Sequence, residues 1–302
     1  MHSWTLFTLG ALPAMVAAMG LSVQPADASC APSAAERNAP AQAANRLPDS
    51  QVVAGSRDIA WVWLSSPTHR YPHGALGSAV HAGSVQVLSR SSSGAQTLLS
   101  LSLPVHRVFE DRVPRLVDLD GDGRDEIVLV EADALRGAAL VVLGLAQRDG
   151  KPTIVERARG PHAGSTFRWL NPVGFADFDG DGQLDVASVT TPHIGGVLTL
   201  HHLRPPELVP FARALDVSNH RMGALEQQLA VIVQRPGLRP TIIVPDMTRQ
   251  ALHALRWDAP GQWHELADLK PLPGTVERLA PGPGGACAWL ADGRVLQITL
   301  LP

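Results

Sequence analysis

The sequence predicts an all-β protein built from many short strands, and three observations carry that expectation. Glycine and proline number 27 and 25 in 302 residues, so breakers interrupt the chain too often to leave many helix-length windows. The stretches between them, such as Ile127 to Val130 and Val197 to Leu200, are short, rich in β-branched and aliphatic residues, and bounded by turn residues. Two of these groups of strands also repeat, each behind the same acidic loop.

Taken from the N-terminus, Trp4 to Val23 is an almost uncharged apolar run, followed by the small-residue triplet Ala26-Asp27-Ala28. This fits a leader peptide over residues 1–28, cleaved after Ala28, and a periplasmic or secreted protein with no membrane span after cleavage. The segment before the run has His2 but no Lys or Arg. An uncleaved anchor is therefore the alternative, because about 18 apolar residues can span a bilayer. Asp27-Ala28-Ser29 ahead of Cys30 does not form a lipobox. Residues 29–50 are rich in Ala, Pro, Asn, Gln and Ser without apolar periodicity, and are expected to be a disordered linker. Residues 51–302 are long enough for one large β domain or two small ones, and are read as a single propeller domain.

The repeat aligns without gaps over twelve residues, Val117 to Val128 against Ala176 to Ala187. Asp118 and Asp177, the first aspartates, stand 59 residues apart, the size of a four-stranded propeller blade with generous loops. Three strand-like runs follow each loop. The same order continues upstream through Ile59–Ser66, Gly83–Arg90 and Thr97–Leu103, downstream through Thr241–Pro245, Ala251–Trp257 and Trp263–Leu269, and into a last unit over Val276–Leu300. The predicted architecture is a β-propeller of about five blades, with four to seven compatible. The last unit is one strand short, and a strand from between Leu47 and Gly55 is expected to complete it.

The acidic loops carry the chemistry. Asp118, Asp120 and Asp122 alternate around Gly121 and Gly123, which let the backbone turn so that three carboxylates converge. At about 4 Å and an effective dielectric of about 20, each pair of such charges costs roughly 4 kcal/mol, so the cluster calls for a cation. An all-oxygen set suits a hard ion such as Ca²⁺. The expected ligands are Asp118, Asp120, Asp122, the Arg124 carbonyl and Glu126 in the first loop, with Asp177, Asp179, Asp181, the Gln183 carbonyl and Asp185 in the second. Asp125 is expected to face solvent. Where an EF-hand needs a bidentate Glu at position twelve, these loops have Leu129 and Ser188, so that motif is excluded.

Asp-x-Asp-Gly-Asp-Gly-x-x-Asp running into a strand resembles the FG-GAP/VCBS repeat, a family of calcium-holding propeller blades, with Val173 to Asp179 the closest stretch. Glu126 departs from the Asp or Asn usual there. The resemblance implies two structural Ca²⁺ sites on a propeller and says nothing of a ligand.

Other residues carry weaker signals. Cys30 and Cys287 are read as unpaired, one in the linker and one buried, with pairing in an oxidising compartment as the alternative. Trp61 and Trp63 share one strand face and are read as core, and so are Trp257, Trp263 and Trp289, despite their fitness for stacking sugars. His201 and His202 point to opposite faces. Ser218 to Arg221 stands where a further acidic loop would begin. A formal charge of −3 gives no basis for nucleic-acid or anionic-membrane binding. The motifs of serine hydrolases, phosphate loops and zinc peptidases are missing from the sequence. The expected function is that of a monomeric, non-enzymatic module binding protein or carbohydrate. The alternative is a polysaccharide lyase or hydrolase using Glu110 with Asp111, or Glu226 with Asp246.

Overall fold

The computed structural model describes residues 20–26, 28–30, 39–258, 261–266 and 269–301. Residues 1–19 and Asp27 of the expected leader lie outside these, as do residues 31–38 of the expected linker.

Strand accounts for 53% of the structure and helix for 3%, so the fold is all-β. Successive strands pair antiparallel with their sequence neighbours, as short turns require. Val53–Ala54, Ile59–Thr68, His81–Arg90 and Gln96–Ser102 form the first such meander. In the second, Arg107–Phe109 and Arg115–Val117 both pair with Glu126–Asp133, which continues into Gly137–Arg148 and Lys151–Arg159. Leu170–Ala176, Asp185–Thr190, Val197–Arg204 and Glu207–Leu215 make the third. Single pairings, Ala82 with Phe109 and Arg159 with Glu207, join these three into one continuous 13-stranded sheet. Val231–Val233, Thr241–Pro245, Ala251–Asp258 and Gln262–Glu265 form a separate sheet, with Lys270–Pro271 added beside Ala251–Asp258.

The last sheet runs Val276–Gly282, Gly285–Leu290, Val295–Leu300, and is completed by Leu21–Pro25. The completing strand is therefore drawn from the apolar N-terminal run and not from the region of Leu47 to Gly55. Val53–Ala54 pairs instead within the first meander. Leu21 pairs with Leu300 and is 5% exposed, so the same hydrophobicity that reads as a leader here closes a sheet.

The meanders stack face to face, and the period-2 alternation of their strands shows why their central strands are apolar throughout. Ile127 and Leu129 pack towards the first meander, with Val62, Val85 and Val87. Val128 and Val130, on the opposite face, pack towards the third, with Leu170 and Val186. Ala187 and Val189 then meet Ile242 and Val244 of the fourth, while Ile243 turns to Ala286 and Ile298 of the fifth.

Two further expectations change. Cys30 and Cys287 are bonded, with an S–S distance of 2.00 Å across 257 residues of sequence. Residues 39–50 are also packed against the fold rather than trailing from it: Ala43 and Leu47 are buried, and Asn45 accepts a bond from the Trp63 indole at 3.0 Å. Four of the tryptophans read as core pack there: Trp63 is fully buried with Trp61 beside it, and Trp257 meets Trp263 edge-on at 5.4 Å, whereas Trp289 is half-buried with Arg278 over its ring.

Candidate metal centre

Each acidic loop links two antiparallel strands and is folded by its own carboxylates. In the first, the Asp122 N–H donates to Asp120 Oδ1 (3.2 Å), Gly123 N–H to Asp118 Oδ2 (3.1 Å) and Arg124 N–H to Asp122 Oδ1 (2.8 Å). The second repeats this bond for bond: Asp181 N–H to Asp179 Oδ1 (3.1 Å), Gly182 N–H to Asp177 Oδ2 (3.0 Å) and Gln183 N–H to Asp181 Oδ1 (2.8 Å). The turns require left-handed backbone at Gly121 (φ 75°), Gly123 (84°), Gly180 (76°) and Gly182 (87°), where a side chain would be strained.

The last carboxylate of each loop is buried and reaches back to the loop's start. Glu126 Oε2 accepts from Leu119 N–H at 2.8 Å, and Asp185 Oδ2 from Phe178 N–H at 3.1 Å. Glu126 thus makes the bond that its shorter counterpart makes. Burial pushes the Glu126 carboxyl up to about 7, with Asp120 and Asp122 adding to the rise, and it pushes Asp185 up to about 6 with Asp179 contributing. A cation placed among these groups would reverse both shifts.

Donor oxygens of Asp118, Asp120 and Asp122 lie within 4.8 Å of one another, as do those of Asp177, Asp179 and Asp185. Oxygens on a shell of about 2.4 Å radius stand no more than about 4.8 Å apart, so both sets match the reach of Ca²⁺. Asp118 Oδ1 is buried without a hydrogen-bond partner, which is the state of an oxygen kept for a cation. The donor set therefore fits. The side chains of Arg124 and Gln183 are drawn aside, to Asp58 (3.0 Å) and from Arg204 (3.0 Å) respectively, so any contribution they make to the loop centre comes from the backbone.

The surroundings hold groups that spacing did not reveal. Asp125 is buried, not solvated: Arg57 Nη1 bonds its Oδ1 at 2.6 Å and lies 3.6 Å from Asp118 through Nε. His202 stands beside the second loop, with Nδ1 3.0 Å from Asp185 Oδ1 and its ring stacked on Phe211 at 4.0 Å. His202 and Asp179 also come close enough with Asp181 to offer a mixed nitrogen and oxygen set. Only strand register places that histidine here, because Val186 pairs with its neighbour His201.

Residues 116–188, which span both acidic loops and the strands between them, match the FG-GAP-like repeat. The chain carries an FG-GAP-like repeat. No curated protein matches it. Among solved structures, a Bacteroides fragilis protein assigned as a 6-phosphogluconolactonase is 16% identical, with a TM-score of 0.42 over 82% of this chain and 64% of that one. Rhamnogalacturonan lyase YesW is 14% identical, with a TM-score of 0.39 over 82% of this chain and 60% of the lyase. The exotype rhamnogalacturonan lyase YesX is 14% identical, with a TM-score of 0.37 over 81% and 55%. The chain thus spans less than two thirds of each of these structures.

The carboxylates named for a hydrolytic role are engaged elsewhere. Asp111 accepts from Arg115, Arg112 N–H and Val130 N–H, and Asp246 holds the turn at Thr248 and Ala251. Glu226 meets Arg278 at 3.2 Å. Glu110 is buried against His73 Nδ1 at 2.6 Å. Ser218, Asn219 and His220 are buried too: Asn219 exchanges bonds with Asn171, and His220 contacts His193 at 2.9 Å.

Proposed function

We propose that the protein is an exported β-propeller of about five four-stranded blades, in which two Ca²⁺ ions hold the FG-GAP-like loops and the assembled surface binds a protein or carbohydrate partner without catalysis. The observation that carries this reading is the pair of acidic loops with matching bonds and oxygens spaced for one cation shell. Modules of the extracellular kind bind Ca²⁺ at about 10⁻⁴–10⁻³ M, so the ions act as fixed parts of the fold and not as a signal.

Export is supported by the Cys30–Cys287 bond, since disulfides persist in oxidising compartments. Processing after Ala28 would remove Leu21–Pro25 from its sheet. A leader cut upstream of Leu21, where Ala18-Met19-Gly20 offers small residues, keeps the strand.

Thermal unfolding with excess Ca²⁺ and with EGTA tests the cation reading. The midpoint should fall on chelation in the native protein and not in a variant carrying Asp179→Ala and Asp118→Ala. Equal midpoints for the native protein in both conditions would refute it.

A further inference from the structure

Between the second and third meanders lies a cleft of about 220 Å³, close to the share of liquid volume taken by roughly seven waters at about 30 Å³ each. Its third-meander wall is polar where sheet-to-sheet packing calls for apolar residues. Ser188 pairs with Thr199, and Thr199 with Arg213, so two hydroxyls and a guanidinium stand in one row across three adjacent strands. Side chains directly opposite on one face sit about 5 Å apart at Cβ. Val186 and Leu208, on the same strands, join the apolar core as expected, and so the polar row is a local departure.

Three features mark the row as built for a ligand. Ser188 is 1% exposed, yet its Oγ has no hydrogen-bond partner, a state that a buried hydroxyl rarely keeps. Two histidines line the same cleft, and each gives its Nδ1 to a backbone carbonyl: His162 to Gly137 at 3.1 Å and His201 to Val186 at 3.2 Å. A carbonyl can only accept, so Nδ1 carries the proton and Nε2 offers a lone pair. Burial lowers the pKa of the His162 ring, which keeps it neutral, and its Nε2 is buried and unpartnered. Arg213 stands exposed in a cleft lined by neither Asp nor Glu.

The His162 ring acceptor lacks a donor, His201 lines the cleft beside it, two hydroxyls can give or take, and the exposed guanidinium can pair with an anion. The geometry points to a binding site for a monosaccharide-sized hydroxy acid of the uronic-acid kind, with its hydroxyls on His162, His201 and Ser188 and its carboxylate on Arg213. The site uses none of the loop carboxylates and needs no cation, so its failure would leave the calcium reading intact.

Titration calorimetry of the full exported protein against D-galacturonate, D-glucuronate, neutral D-galactose and D-galactose 6-phosphate tests this. At least one uronate should bind, and the neutral sugar should bind about tenfold more weakly or worse. Arg213→Ala should weaken the uronate by about tenfold with an unchanged melting midpoint, since the side chain is exposed, and Arg213→Lys should restore part of the loss. Ser188→Ala, which removes an unpaired hydroxyl and leaves no void, should fold normally and weaken binding several-fold. No uronate binding up to about 10 mM, binding indifferent to both substitutions, or a preference for the neutral or phosphorylated sugar would overturn the proposal.

Discussion

Breaking the Cys30–Cys287 bond with Cys30→Ser isolates what the bridge does for stability. Cys30 sits in a short 3₁₀ turn after the strand Leu21–Pro25, and Cys287 is buried in Gly285–Leu290, the next strand but one of the same sheet. The bond closes a loop of 257 residues, for which the chain-entropy model gives about 5–6 kcal/mol, while measured bridges more often give about 2–4. Residual structure in the unfolded chain makes the model figure an upper bound, which favours the lower range. We expect a loss of about 3 kcal/mol, equivalent to a drop of roughly 6–12 °C in the melting midpoint for a domain of this size. Urea unfolding of native and Cys30→Ser proteins, each with and without dithiothreitol, is the assay. Reductant should bring the native curve onto the variant curve and leave the variant unmoved. If native and variant midpoints agree within error before reduction, the bridge does not form or does not constrain the unfolded chain, and the reasoning fails.

The remaining predictions test other parts of the fold. A chain starting at Ser29 should be less stable than one starting at Leu21, because burial of Leu21 alone is worth about 1.5–3 kcal/mol; equal urea midpoints would refute a structural role for that strand. Phe178→Ala, in the core between the third and fourth meanders, should cost about 3–5 kcal/mol by denaturant unfolding, and a loss below about 1 kcal/mol would contradict the packing. Burial holds His81 and His193 down to about 4 and His220 to about 3. These rings take up protons more readily when unfolded, so their contribution is complete above about pH 6.5 and declines as pH falls towards 4. His193→Gln should flatten the urea midpoint between pH 7 and 5, and an unaltered slope would exclude the ring as a source.

The acidic loops were legible because their chemistry is local: the alternating aspartates, the glycines between them and the strand after them all fall within twelve residues. The strand at Ile127 to Val130 was equally legible as a short aliphatic run. What escaped depends on contacts distant in sequence. Leu21–Pro25 satisfies the composition of a leader and of a sheet strand alike, and only its pairing with Val295–Leu300 separates the two. Asp125 resembles a solvated turn residue until Arg57 is brought over it. The polar row of Ser188, Thr199 and Arg213 has no sequence signature, since its members come from three strands and meet only through register.

Pairing of Leu21 with Leu300 brings the entry and exit of the described chain to neighbouring strands, about 4.8 Å apart. Segments continuing from Leu21 and from Leu300 therefore leave the same end of one strand pair, while the turn Ser91–Gly94 is exposed elsewhere. The same proximity suits a circular permutation of residues 21–301, in which a short linker joins Leu301 to Leu21 and the chain is opened at that exposed turn.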